Sequence, residues 1–178
     1  MPPGLRARLQ REFAGYQFMT QQVQELEAER RQLLRSSTEA SVEQVRQLLQ
    51  LRGLGENSAW LFVMEFFSWR EFRTRRQVGG LAGLTPTPYQ SSEQSREQGI
   101  DKAGNSPIRS MAIEIAWGWL RYQPESELSR WFCRRFAHGS ARMRRVGIVA
   151  LARRLLVELW RFVEFGVVPD GARIKTVP

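Results

Sequence analysis

The stretch Gly83-Leu-Thr-Pro-Thr-Pro-Tyr-Gln-Ser-Ser-Glu-Gln-Ser-Arg-Glu-Gln-Gly-Ile-Asp-Lys-Ala-Gly-Asn-Ser-Pro-Ile-Arg109 separates two blocks of apolar helical sequence. It is polar and rich in Gly, Pro and Ser. Gaps of this length inside a compact domain are uncommon and usually functional. A long polar loop is therefore predicted over 83–107. Three hydroxyls fall early in it, on Ser91, Ser92 and Ser95, and two cations, Lys102 and Arg109, fall near its end. A serine hydroxyl beside Arg and Lys is the equipment of a phosphoryl-transfer nucleophile. Composition alone gives a second reading, a solvated surface loop.

Upstream of it, Thr74 is placed to cap a helix through Gln77, Val78 and Leu81, which Gly83 and Pro86 terminate. Arg70, Arg73, Arg75 and Arg76 set positive charge just ahead of the polar stretch. Earlier, a short helix carrying Val42, Val45, Leu48 and Leu49 meets a second apolar helix across Gly53-Leu-Gly55. Helix, Gly-x-Gly turn and helix make a helix-hairpin-helix-like unit at about 42–67. Its glycines leave backbone N–H groups free at a helix N-terminus, where a phosphate can bind. A plain helix–helix turn uses the same residues. Earlier still, Leu5, Leu9, Phe13, Tyr16, Thr20, Val23, Leu26 and Leu33 recur at three, four and seven. That seam predicts one amphipathic helix over 4–35, paired as a coiled coil within the chain or with a second copy.

Downstream, Pro107 suits the first turn of a helix striped by Ile108, Met111, Ile115 and Trp119, with Ala112 and Ala116 allowing close approach. Pro124 ends it. A short helix follows over 125–137, whose aromatics have core spacing, then a long one over 140–165. From Arg130 to Arg161 there are nine arginines, at 130, 134, 135, 142, 144, 145, 153, 154 and 161, against one acid, Glu158. Such a run on adjacent helices suits phosphates, because one-signed charge repels itself without a polyanion. The expected fold is all-α: a coiled-coil helix over 1–38, a compact helical domain over 39–168 and a loose tail over 169–178.

The formal net charge is +9 and the pI about 11.0, and all but two of the 27 basic residues are arginines. Arginine forks match phosphate oxygens, which points to nucleic acid; a GC-rich genome also raises arginine. Cys133 and His138 are the only residues of their kinds, so a disulfide framework, a cysteine metal site and a multi-histidine zinc site are excluded. The carboxylates Glu65, Glu71, Glu93, Glu97, Asp101 and Glu114 are scattered without two-metal spacing. No cofactor is expected within this chain. No apolar run reaches membrane length and no secretory signal opens it, so a soluble, cytoplasmic protein is expected.

Gly53-Leu-Gly55, Phe72, Leu81-Ala-Gly-Leu-Thr-Pro86, Tyr89-Gln-Ser91, Gly99-Ile-Asp-Lys-Ala-Gly-Asn105 and Ile108-Arg109, in that order, resemble a known domain. It is the C-terminal transposase domain of the bacterial insertion-sequence family numbered one hundred and ten, the bridge-RNA-guided serine recombinases. Val149-Ala-Leu-Ala-Arg-Arg-Leu-Leu156 resembles that family's closing helix, so the likeness runs from about residue 46 to 165. It implies a catalytic serine, at Ser91, that attacks a DNA phosphodiester and becomes joined to it. Ser92 stands where the family has glycine, and Asp101 where it has serine before the shared Lys102, Gly104 and Asn105. It implies a DNA partner, a guide (bridge) RNA and a bacterial, nucleoid-associated setting, beside the homo-oligomer through the coiled coil that the seam leads one to expect. It further implies an N-terminal RuvC-like domain that holds Mg2+, which is expected to be missing here, leaving the chain able to bind but not to cut alone. Gly53, Gly55, Lys102, Asn105, Arg109, Arg142, Arg144, Arg145, Arg153 and Arg154 are the expected nucleic-acid contacts. Two other readings remain at this point: a non-enzymatic helix-hairpin-helix nucleic-acid-binding module on a dimerising coiled coil, and an arginine-rich domain for an acidic protein partner.

Overall fold

The computed structural model describes residues 3–91, 94–100 and 103–175, with the backbone alone at 3, 86–91 and 94–99. The chain divides into two compact units, Met1–Glu43 and Gln44–Pro178. The body of both is helical, as expected.

The first unit is dominated by α1, Pro3–Ser36. Its 34 residues run for about 51 Å. Gln, Glu and Arg favour helix here, helped by i,i+4 pairs such as Arg8–Glu12 at 2.8 Å. The seam residues Leu5, Leu9, Phe13, Tyr16, Val23 and Leu26 are all exposed. A break at 37–39 leads into α2, Ala40–Leu49, which crosses the division between the units.

In the second unit, α3, Glu56–Phe62, runs on into a π-helical turn at Val63–Phe67. Then come α4, Arg75–Leu81; two strands, β1, Pro86–Ser91, and β2, Gln94–Ile100; and three helices. These are α5, Ser106–Tyr122, α6, Glu127–Phe136, and α7, Ala141–Phe165. The core gathers around α7, against which α4, α5 and α6 all pack. Ile148, Leu151, Ala152, Leu155, Leu156, Leu159 and Phe162 of α7 are buried, and so are Ile108, Ala112, Ala116 and Trp119 of α5. The alanines thus form the buried line of α5, while Met111 and Ile115 lie half-buried beside it. Val146, expected in the α7 stripe, is exposed, and Gly147 is buried in its place. A Cβ at Gly147 would meet the Phe136 ring at 2.4 Å, so α6 closes on α7 at a residue without a side chain.

Two expectations are corrected. Within the polar stretch, β1 and β2 pair antiparallel, Tyr89 opposite Arg96 and Ser91 opposite Gln94, with an irregularity at Pro86/Thr87. A two-stranded ribbon tolerates Pro86 and Pro88 because edge positions need not donate to a neighbour. Secondly, residues 169–175 of the tail are docked. Leu51 and Ile174 form an isolated bridge, Arg52 N donates to Arg173 O at 3.1 Å, and Lys175 Nζ donates to Leu54 O at 2.8 Å. Burial lowers the Lys175 pKa from its ordinary value. The clamp is Gln123, 1% exposed. Its Nε2 donates to Arg52 O and to Arg173 O, both at 2.9 Å, and its Oε1 accepts from Arg173 N at 2.7 Å. A buried amide with its donors and acceptor engaged ties α5 to both backbones.

Candidate nucleic-acid interface

Between the start of α4 and the C-terminal half of α7 lies a cleft of about 820 Å³. Its walls include Arg73, Arg75, Arg76, Arg153, Arg154 and Arg161, with a single acid, Glu158. A reciprocal cap fixes the first side. Thr74 Oγ1 accepts from Gln77 N at 3.4 Å, while Gln77 Oε1 accepts from Arg73 N at 2.7 Å and Thr74 N at 3.2 Å. The Thr74 hydroxyl is thereby committed to the backbone.

The other side is set by the spacing along α7. Arg154, Glu158, Arg161 and Phe165 follow at i, i+4, i+7 and i+11 and share one face. Glu158 pairs with Arg161 at 3.2 Å, and the Arg154 guanidinium lies 4.4 Å over the Trp131 ring. Arg153 lies on Gly79, where a Cβ would come within 3.0 Å of its Nε. Among the described residues no carboxylate pairs with Arg73, Arg75, Arg76 or Arg153. Unpaired guanidiniums on a concave wall repel one another and attract a polyanion.

The expected site residues fall into separate places. Arg153 and Arg154 line the cleft; Arg142, Arg144 and Arg145 are exposed on the first turns of α7, outside its lining. Asn105 and Arg109 stand at the base of the ribbon. Asn105 Oδ1 caps α5 by accepting from Ile108 N at 3.0 Å, and Asn105 N donates to Leu81 O at 2.8 Å. Arg109 donates to Ser106 Oγ at 3.1 Å and to Gly104 O at 3.5 Å. Both therefore hold the ribbon's base through backbone and cap contacts.

Ser91 is the last residue of β1; its hydroxyl, Ser92 and Lys102 lie outside the described residues. Gly53 has φ +92, and a Cβ there would meet Tyr122 Cβ at 3.3 Å. Gly55 N donates to Ser58 Oγ at 3.1 Å. That N–H is engaged by its own helix, which removes one of the donors expected to face a phosphate. Among the described residues no group of three His, Cys, Asp or Glu side chains is placed to hold a metal ion, and no helix is long and apolar enough to cross a membrane.

Sequence reasoning misses Trp160 and Phe165, while it reads Arg73, Arg75, Arg76 and Arg161 only as clustered positive charge and does not name them as contacts. The i, i+4, i+7, i+11 recurrence on α7 was the signal for the helix side of the cleft. The pairing of α4 with α7 carries no sequence signal, being a long-range contact.

Comparison with known proteins covers part of this region. A family model described as "Transposase IS116/IS110/IS902 family" matches residues 45–130. A Sinorhizobium fredii protein named as a transposase, y4rJ, is 41% identical over 184 residues, covering 99% of this chain and 46% of that protein. The Yersinia enterocolitica transposase for insertion sequence element IS1328 is 28% identical over 134 residues, covering 74% of this chain and 38% of that protein. The chain thus spans less than half the length of these relatives. The matched stretch contains the Gly53–Gly55 turn, the first side of the arginine cleft, the ribbon and α5. Residues 45–130, just under half of this chain, are thus similar to the Transposase IS116/IS110/IS902 family.

Proposed function

We propose that this chain is the DNA-joining half of a transposition enzyme, with Ser91 as nucleophile and the α4–α7 cleft as a phosphate clamp. The observation that carries this reading is the cleft: four guanidiniums without a carboxylate partner among the described residues, one short helix from the ribbon that bears Ser91. That helix, α4, is about 10 Å long, and Ser91 stands at the far end of the ribbon's first strand. In the reaction the Ser91 Oγ forms a bond to phosphorus as its proton leaves. The bond from phosphorus to a deoxyribose oxygen breaks, and that oxygen takes up a proton. The guanidiniums offset the charge that builds on the phosphoryl oxygens. Arg142, Arg144 and Arg145 offer further phosphate contacts, which suit a guide RNA or flanking DNA. An acidic, Mg2+-holding RuvC-like domain would complete the cutting site.

The test is a suicide DNA substrate offered to the chain, alone and with such an acidic domain supplied. A covalent protein–DNA adduct is expected, abolished in Ser91→Ala and kept in Ser92→Ala, with salt-sensitive binding intact in both. An adduct that survives Ser91→Ala, or none with the acidic domain present, would sink the proposal.

The exposed seam of α1 fits a second copy of the chain. At micromolar concentration we expect sedimentation at the mass of a dimer or larger. Phe13→Asp with Val23→Asp should return the chain to a monomer, since two charges then face the pairing helix. A wild-type chain that sediments at 20.7 kDa would end the idea.

A further inference from the structure

We infer that the α4–α7 cleft seats a single, unpaired nucleic-acid strand, with a base stacked on Phe165, and discriminates against duplex. This rests on the reading above that the cleft binds nucleic acid. Phe165 lines the cleft and is 63% exposed, at the last position of α7 before Gly166, whose φ is +69. A lone exposed phenylalanine is ordinary on a protein surface. This one stands at the end of a guanidinium-lined channel. Trp160, 7% exposed, props it edge-on, with ring centroids 5.5 Å apart and planes at 77°. The ring is thus held from beneath while most of it stays open.

The charge along the cleft is uneven. Glu158 neutralises Arg161, so the end nearest Phe165 carries the least net positive charge. The opposite end holds Arg153, lying on Gly79, while Arg75 and Arg76 line the stretch between, and no carboxylate offsets any of the three among the described residues. Arg153 and Phe165 are about 18 Å apart along the helix, room for several nucleotides of one strand. Phosphates at one end and an aromatic platform at the other are the two components of single-strand binding. Duplex DNA is instead read by convex elements, a helix or ribbon that enters a groove, and its bases are already stacked on each other. A concave wall reaches the duplex backbone only, and Phe165 finds no free base.

The full chain is titrated by fluorescence anisotropy against labelled twelve-nucleotide oligothymidylate, oligouridylate and a twelve-base-pair duplex, at two salt concentrations. Wild type should bind a single strand more tightly than the duplex, and the better of the two single strands identifies DNA or RNA as the strand. Phe165→Ala should weaken single-strand binding roughly tenfold and change duplex binding less than about twofold. Phe165→Tyr should retain the preference. Thermal melts should match, because exposed positions tolerate truncation. If Phe165→Ala affects strand and duplex alike, or neither, the inference falls while nucleic-acid binding stands. If wild type binds none of the three, the clamp reading falls with it.

Discussion

Gly104→Ala is expected to destabilise the chain by about 3 kcal/mol and lower its melting temperature by roughly 6–12 °C. A Cβ at this position would lie 2.3 Å from Gly83 N, 2.5 Å from Leu81 O and 2.7 Å from Ala82 C. All three are backbone atoms, so no rotamer change relieves the overlap. The strands leave and return at this point: Gly83, with φ +67, ends the α4 side, and Asn105 N donates to Leu81 O at 2.8 Å. Gly80, three residues earlier, is the internal comparison. Nothing lies within 4 Å of its would-be Cβ. Gly80→Ala should therefore stabilise by roughly 0.5–1 kcal/mol, the usual gain for glycine to alanine in a helix. Differential scanning calorimetry of the two variants checks both signs. Equal melting of Gly104→Ala and wild type would show that the strands do not close on Gly83. The same variant should lose adduct formation at Ser91 while its cleft still binds oligonucleotide, because only the ribbon's anchor is disturbed.

The second large effect concerns affinity. Arg75→Gln, Arg76→Gln and Arg153→Gln combined should weaken oligonucleotide binding roughly 100- to 1000-fold near physiological salt. The slope of log affinity against log salt should become shallower by about 2, since each lost phosphate contact removes about 0.7 to 0.9. The same change at Arg142, Arg144 and Arg145 should cost less, for those side chains stand outside the cleft. Arg→Lys at the three cleft positions should keep most of the slope and lose part of the affinity. Charge survives in that variant and the two-pronged contact does not. A triple Gln variant with unchanged slope would remove the cleft from the interface.

Much of the helical layout was legible in the residues. Thr74 caps α4 as expected, Pro107 lies in the first turn of α5, and α1 and α7 begin and end within two residues of expectation. These signals are local, settled by side chains a turn apart. The phase of the buried faces was less legible. Small residues, Ala112 and Ala116 on α5 and Gly147 on α7, take the innermost line, and a hydrophobicity pattern favours their larger neighbours. The ribbon was hidden because its strands contain two prolines and few apolar side chains, so they carry no alternation. Half of the cleft was hidden for a different reason. Arg75 and Arg153 stand far apart in sequence, and only the packing of α4 on α7 makes them neighbours.

The clamp around Gln123 has a consequence for synthesis. The backbone at 50–54 has partners at 173–175, and Lys175 reaches Leu54 across 121 positions of sequence. While the nascent polypeptide is on the ribosome, that early turn waits with its polar groups hydrated until residues 173–175 have cleared the exit tunnel. Completion of the second unit is thus a late, all-at-once event, and chaperone occupancy of the emerging chain should persist until then.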